Sequence, residues 1–105
     1  MTVRKCYEAR ARGTAAECLV EADLLLRGLE VTRPSVDYGD DLHARFNTGW
    51  RSVQVKVRDP KRKTWRASSS NRSRVSSEIL ALVDGKTREI RYYSTFQDPL
   101  PSELQ

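Results

Sequence analysis

From position 41 to position 58 the sequence alternates polar and apolar residues on both sides of a turn, and no other stretch constrains the fold as tightly. Asp41-Leu42-His43-Ala44-Arg45-Phe46 alternates, Asn47-Thr48-Gly49-Trp50 supplies turn residues, and Ser52-Val53-Gln54-Val55-Lys56-Val57-Arg58 alternates again. A period of two marks a strand with one buried face, so this segment reads as a β-hairpin. Leu42, Ala44, Phe46, Val53, Val55 and Val57 form a uniformly apolar face that packs on the rest of the fold. With Thr48 and Gly49 as the central turn residues, Asp41 stands opposite Lys56 and His43 opposite Gln54, all four on the polar face. Opposed side chains in an antiparallel pair have Cβ atoms about 4.5–5.5 Å apart. Most such polar faces simply meet water. His43, the sole histidine, is more readily explained by a structural hydrogen bond or solvent contact than by catalysis.

Upstream, Ala15, Cys18, Leu19, Ala22, Leu25 and Leu26 recur at helical spacing, and Gly28 stands where a C-terminal cap belongs. A helix is therefore predicted over Thr14 to Arg27. Glu17 and Glu21 lie four apart on its flank, where like charges cost a few tenths of a kcal/mol unless a metal or a lysine compensates. Thr14-Ala15-Ala16-Glu17 also reads as a capping box, with the glutamate returning to the cap's backbone N–H. The residues alone leave both roles for Glu17 open.

The remaining segments complete one α/β domain over residues 1–105. Leu29 to Pro34 reads as a first strand, Ser35 to Asp40 as a loop, and Trp65 to Ser69 as a strand or extended segment. Ile79-Leu80-Ala81-Leu82-Val83 is a continuous apolar run, as a buried central strand requires. Asp84-Gly85-Lys86-Thr87 is a hairpin turn leading into a strand over Arg88 to Ser94. Pro99 and Pro101 point to an extended tail over 97–105.

Charge distribution narrows the partner. Arg51, Lys56, Arg58, Lys61, Arg62, Lys63, Arg66, Arg72 and Arg74 face one acid, Asp59, so the segment 51–74 carries +8 of a chain whose total is +5. Trp50 and Trp65 are interleaved with these cations, a composition suited to nucleic-acid phosphates, although a solvated loop has the same look. Cys6 and Cys18 stand outside any zinc-type spacing and are expected as free thiols. No apolar run approaches the ~20 residues of a membrane span, so a cytoplasmic protein without a membrane partner is expected.

Four segments taken in order carry a resemblance. Gly13-Thr14-Ala15-Ala16-Glu17, then Leu24 through Val31 to Pro34, then Asp41-Leu42, then Gln54-Val55-Lys56 resemble the PD-(D/E)XK restriction-endonuclease-like nucleases, over about residues 12–94. The chain is most similar to the group I intron-associated homing endonucleases of that superfamily, some of which carry Gln-Xaa-Lys. It resembles the archaeal Holliday-junction resolvases more distantly. The resemblance implies a restriction-endonuclease-like core: an N-terminal helix, then a mixed central sheet whose hairpin carries the active site. It implies hydrolysis of DNA phosphodiesters with Mg²⁺, for which Mn²⁺ would substitute, by Glu17, Asp41, Gln54 and Lys56. Asp41 would hold the metal, with the Val55 carbonyl, Gln54 in place of the second acid, and Glu17 through metal-bound water. Lys56 would steady the attacking water or the phosphate charge. Asp40 is the alternative aspartate, but alternation puts it on the face opposite Lys56, which assigns it to the turn entering the strand.

Magnesium takes about six oxygen ligands and keeps several waters, so few carboxylates suffice. Two departures stand out: Tyr38-Gly39-Asp40 replaces the family's proline before the aspartate, and the second acid is an amide. The site thus holds one negative charge fewer, which favours a single metal over a two-metal arrangement. Arg58, Lys61, Arg62, Lys63, Arg66, Arg72 and Arg74 would track double-stranded DNA, and cutting both strands would call for a homodimer or homotetramer. The competing readings are a junction resolvase and a DNA-binding scaffold that has lost catalysis.

Overall fold

The computed structural model describes residues 3–35, 41–58, 77–95 and 98–105, with 3–7 as backbone. Asp40, the segment expected to be extended at 65–69, and Lys61, Arg62, Lys63, Arg66, Arg72 and Arg74 lie outside the described residues. Helix α1 spans Val3–Leu26, followed by strands β1 (Glu30–Thr32), β2 (Leu42–Phe46), β3 (Gly49–Arg58), β4 (Ile79–Asp84) and β5 (Ile90–Ser94), and a 3-10 turn at Ser102–Leu104. The strands form one five-stranded mixed sheet in the order β1-β2-β3-β4-β5. β3 and β4 are parallel and the other neighbours antiparallel.

α1 begins at Val3, well before the Thr14 start that the sequence suggests. Glu8-Ala9-Arg10-Ala11-Arg12 are good helix formers and carry the helix through Gly13, a substitution for alanine worth only about 1 kcal/mol. Thr14 is thus interior to the helix and cannot cap it, which removes the capping-box role of Glu17. The buried face also differs from the expected stripe. Ala16, Val20 and Leu24 are buried, whereas Leu25 and Leu26 are 51% and 89% exposed. Apolar residues occur on two sides of α1, and the sheet covers the side at 16, 20 and 24. The C-terminus follows the sequence pattern: Gly28 has φ +83°, its N–H donates to the Leu25 carbonyl and the Leu29 N–H to the Leu24 carbonyl. That is the glycine-terminated motif in which an apolar residue after the glycine packs back on the last turn, here buried Leu29 on Leu24.

The hairpin forms with the expected faces and a shifted register. His43 pairs with Ser52 rather than Gln54, and Leu42 with Val53. The loop is Asn47-Thr48, and Gly49, with φ +120°, opens β3. Asn47 and Thr48 keep negative φ, so Gly49 absorbs the twist that a mirror-image turn would have taken up. A slip of two residues leaves every side chain on its face, because the strand period is two. Leu42, Ala44, Phe46 and Val53 accordingly join Ile79, Ala81, Val83 and the α1 residues in the core. Val55 packs partly against it, while Val57, expected inside, is 39% exposed.

β4 is buried along all six residues, as its continuous apolar run implies. The segment 98–105 is not a free extended tail: Pro101 is buried, Leu104 joins the core and Leu100 packs against it. A polar clasp closes it on α1. Arg27 donates Nη1 to the Glu103 carbonyl (2.7 Å) and Nε to Asp23 Oδ2 (3.0 Å), and its guanidinium lies 5.5 Å from the Tyr92 ring centre. The Tyr92 hydroxyl donates to the same Asp23 oxygen at 2.6 Å. Burial, then this bond to a carboxylate, pushes the hydroxyl far above its ordinary pKa.

Candidate active site

β2 begins at Leu42, opposite Val53, while β3 runs on to Arg58. Beyond Val53 the β2-facing edge of β3 has no strand partner among the described residues, although its other edge pairs with β4. Unpaired backbone groups need another partner. Asp41 supplies it. Its N–H donates to the Val53 carbonyl (3.1 Å), and its Oδ2 accepts the Val55 N–H at 2.7 Å. The expected metal aspartate is thereby anchored to the residue between Gln54 and Lys56.

Glu17 reaches the same place from α1. Its carboxyl is held above its ordinary range, first by burial, then by a hydrogen bond to Asp41 and by that residue's like charge. Two carboxylates held this close also attract a divalent cation, which relieves their repulsion. Arg33, just past β1, opposes the rise: Nη1 lies 3.4 Å from Glu17 Oε2 and Nε 3.1 Å from Glu21 Oε2. It is the cation that the Glu17–Glu21 spacing calls for, which the sequence reading sought in a metal or lysine. Arg33 is the one basic residue between Gly28 and Asp41, a signal available in the sequence.

Gln54 is half-buried and Lys56 exposed. Alternation along β3 puts both side chains on the face away from Val53 and Val55, in register with Leu80 and Leu82 of β4. The structure thus brings Glu17, Asp41 and the Val55 backbone together, and Gln54 and Lys56 flank Val55 across the same stretch of β3. His43 sits at the level of Ser52, away from Gln54. Glu17, Asp41 and the Val55 carbonyl offer only hard oxygen donors, a set that suits magnesium or manganese, whereas the Gln54 amide lies on the sheet face opposite α1. Among the described residues no group of three or more His, Cys, Asp or Glu is clustered, so any ion here would keep much of its water.

Arg58, expected among the phosphate contacts, is committed elsewhere. Its Nη1 lies 2.7 Å from Asp84 Oδ2, with both side chains largely buried. Asp84 Oδ1 accepts the N–H groups of Lys86 (2.8 Å) and Thr87 (3.0 Å). The Thr87 and Lys86 N–H groups, then Arg58, hold the Asp84 carboxyl below its ordinary range.

No family model and no curated protein matches the chain. Among solved structures it is similar to a bacterial homing endonuclease, I-Ssp6803I, with a TM-score of 0.60 and 14% identity, over 82% of this chain and 68% of that one. The likeness is one of fold, an N-terminal helix on a mixed five-stranded sheet. On that sheet the Glu17–Asp41 pair stands at the edge of β3 that has no strand partner beyond Val53 among the described residues. Among the described residues, no helix is long and apolar enough to cross a membrane.

Proposed function

We propose that the protein is a metal-dependent DNA endonuclease of the PD-(D/E)XK type, hydrolysing phosphodiester bonds in the manner of a homing endonuclease. The observation that carries this reading is the contact between two carboxylates, Glu17 and Asp41, at the free edge of the strand bearing Gln54-Val55-Lys56. Asp41 has one oxygen tied to the Val55 N–H, which orients the other for a ligand. Glu17 comes from the helix side, and the Val55 carbonyl completes an oxygen set. A bound Mg²⁺ or Mn²⁺ would polarise the phosphoryl oxygen and acidify a water. Lys56, exposed on β3, supplies positive charge for the phosphate as it gains negative charge. Water attacks phosphorus, the P–O bond to one sugar oxygen breaks, and that oxygen leaves with a proton. One such site cuts one strand, so a homodimer or homotetramer would serve a duplex.

One observation favours a second reading. Gln54 is neutral where a second acid would stand, and Arg33 already neutralises part of Glu17, so the scaffold could bind DNA without cutting it. The protein and its Lys56→Ala variant, incubated with plasmid, linear duplex and four-way-junction DNA in Mg²⁺, Mn²⁺ or EDTA, separate the two. Cutting that needs metal and is lost in Lys56→Ala supports the endonuclease, and a junction preference would make it a resolvase. Binding without cutting leaves the scaffold.

A further inference from the structure

The β4–β5 turn is held more firmly than a solvated hairpin requires. Asp84, 4% exposed and paired with Arg58, accepts the backbone N–H of Lys86 and of Thr87 on its carboxylate and that of Arg88 on its carbonyl. The Thr87 hydroxyl accepts the Glu89 N–H at 3.3 Å. Arg88 takes φ +64°, a conformation that favours glycine or asparagine and strains an arginine. Lys86 and Arg88 are nevertheless exposed, and neither side chain has a partner among the described residues. Two cations thus project from a backbone fixed by a buried carboxylate.

The position of the turn gives these cations a target. Arg58 and Asp84 are paired at the C-terminal ends of parallel β3 and β4, and Lys56 precedes Arg58 by two residues. With a rise of about 3.3 Å per residue and strands about 4.8 Å apart, the turn starts within roughly 10–15 Å of Lys56. That span matches about three or four base-pair steps along the axis of a DNA duplex. We propose that Lys86 and Arg88 form a preset phosphate clamp that seats the DNA backbone beside the β3 site. The clamp rests on the proposed action on DNA and assigns it a contact surface outside the 51–74 segment. Preset geometry lowers the ordering cost of each contact, and the Asp84 hydrogen bonds provide it.

Fluorescence anisotropy of a short labelled duplex in EDTA, repeated over a salt series with the full chain, tests the clamp. Arg88→Gly removes the cation and the φ strain together, so its Tm should equal or exceed that of the wild type while DNA affinity falls about fivefold near physiological salt. Lys86→Ala, at an exposed position, should weaken binding similarly. Each should lower the slope of log K against log salt by about 0.9, and the double variant by about twice that. Unchanged slopes in folded variants, with wild-type binding intact, would overturn the clamp and leave the endonuclease proposal standing. No DNA binding by the wild type would overturn both.

Discussion

Glu17 and Glu21 repel along α1, and Arg33 draws both carboxylates toward the end of β1. Glu17 still titrates above its ordinary value of 4.5, because burial and Asp41 outweigh Arg33. The folded state therefore binds this proton more tightly than the unfolded chain does. The stability that Glu17 contributes in the metal-free protein is fully present below pH 4.5 and is lost as pH rises from there through the raised value. Glu17→Gln should abolish that loss, leaving the metal-free variant more stable at neutral pH by up to about 1 kcal/mol, with the gap closing in acid. Urea unfolding across pH checks this, and a gap that persists in acid would point to packing instead of charge. The variant should also lose any Mg²⁺-dependent rise in Tm. At this scale the sequence named the residues that meet, Glu17, Asp41 and Val55, but not Arg33 as the cation that joins them. Nor could it show Arg58 spent on Asp84, because that pairing depends on β3 and β4 lying side by side.

The hairpin and α1 differ in how far their patterns decide their packing. A strand has only two faces, so Leu42, Ala44, Phe46 and Val53 could be placed inside without knowing the register. The register itself depends on the turn, where Gly49 and not Thr48 takes the positive φ. Gly49→Ala should destabilise the protein by about 1–2 kcal/mol through backbone strain, since a Cβ there meets nothing within 4 Å. Urea unfolding measures it, and an unchanged midpoint would mean that the turn reshapes freely. A helix offers a continuous circumference. Its apolar side at Leu25 and Leu26 was as plausible as the one at Val20 and Leu24, and only the sheet distinguishes them.

At the level of the whole molecule, residues distant in sequence close the structure. Leu104 enters the core, the Glu103 carboxylate accepts the Asn47 N–H of the hairpin loop at 2.8 Å, and the Glu103 carbonyl receives Arg27 of α1. Leu104→Ala should therefore cost about 2–3 kcal/mol, read from chemical denaturation, whereas a free tail would tolerate it. The proline-marked segment read as extended because its anchoring partners are supplied by other elements. Local patterns alone determined that this is an α/β chain with a helix first, a hairpin with one apolar face and a buried β4 strand. They did so because side-chain periodicity and glycine conformation act within a few residues. Tertiary structure alone decided the buried side of α1, the hairpin register, the docking of 98–105 and the pairing of Arg33 with Glu17 and Glu21. Each of these depends on which surfaces and charges the folded chain brings together across long sequence separations.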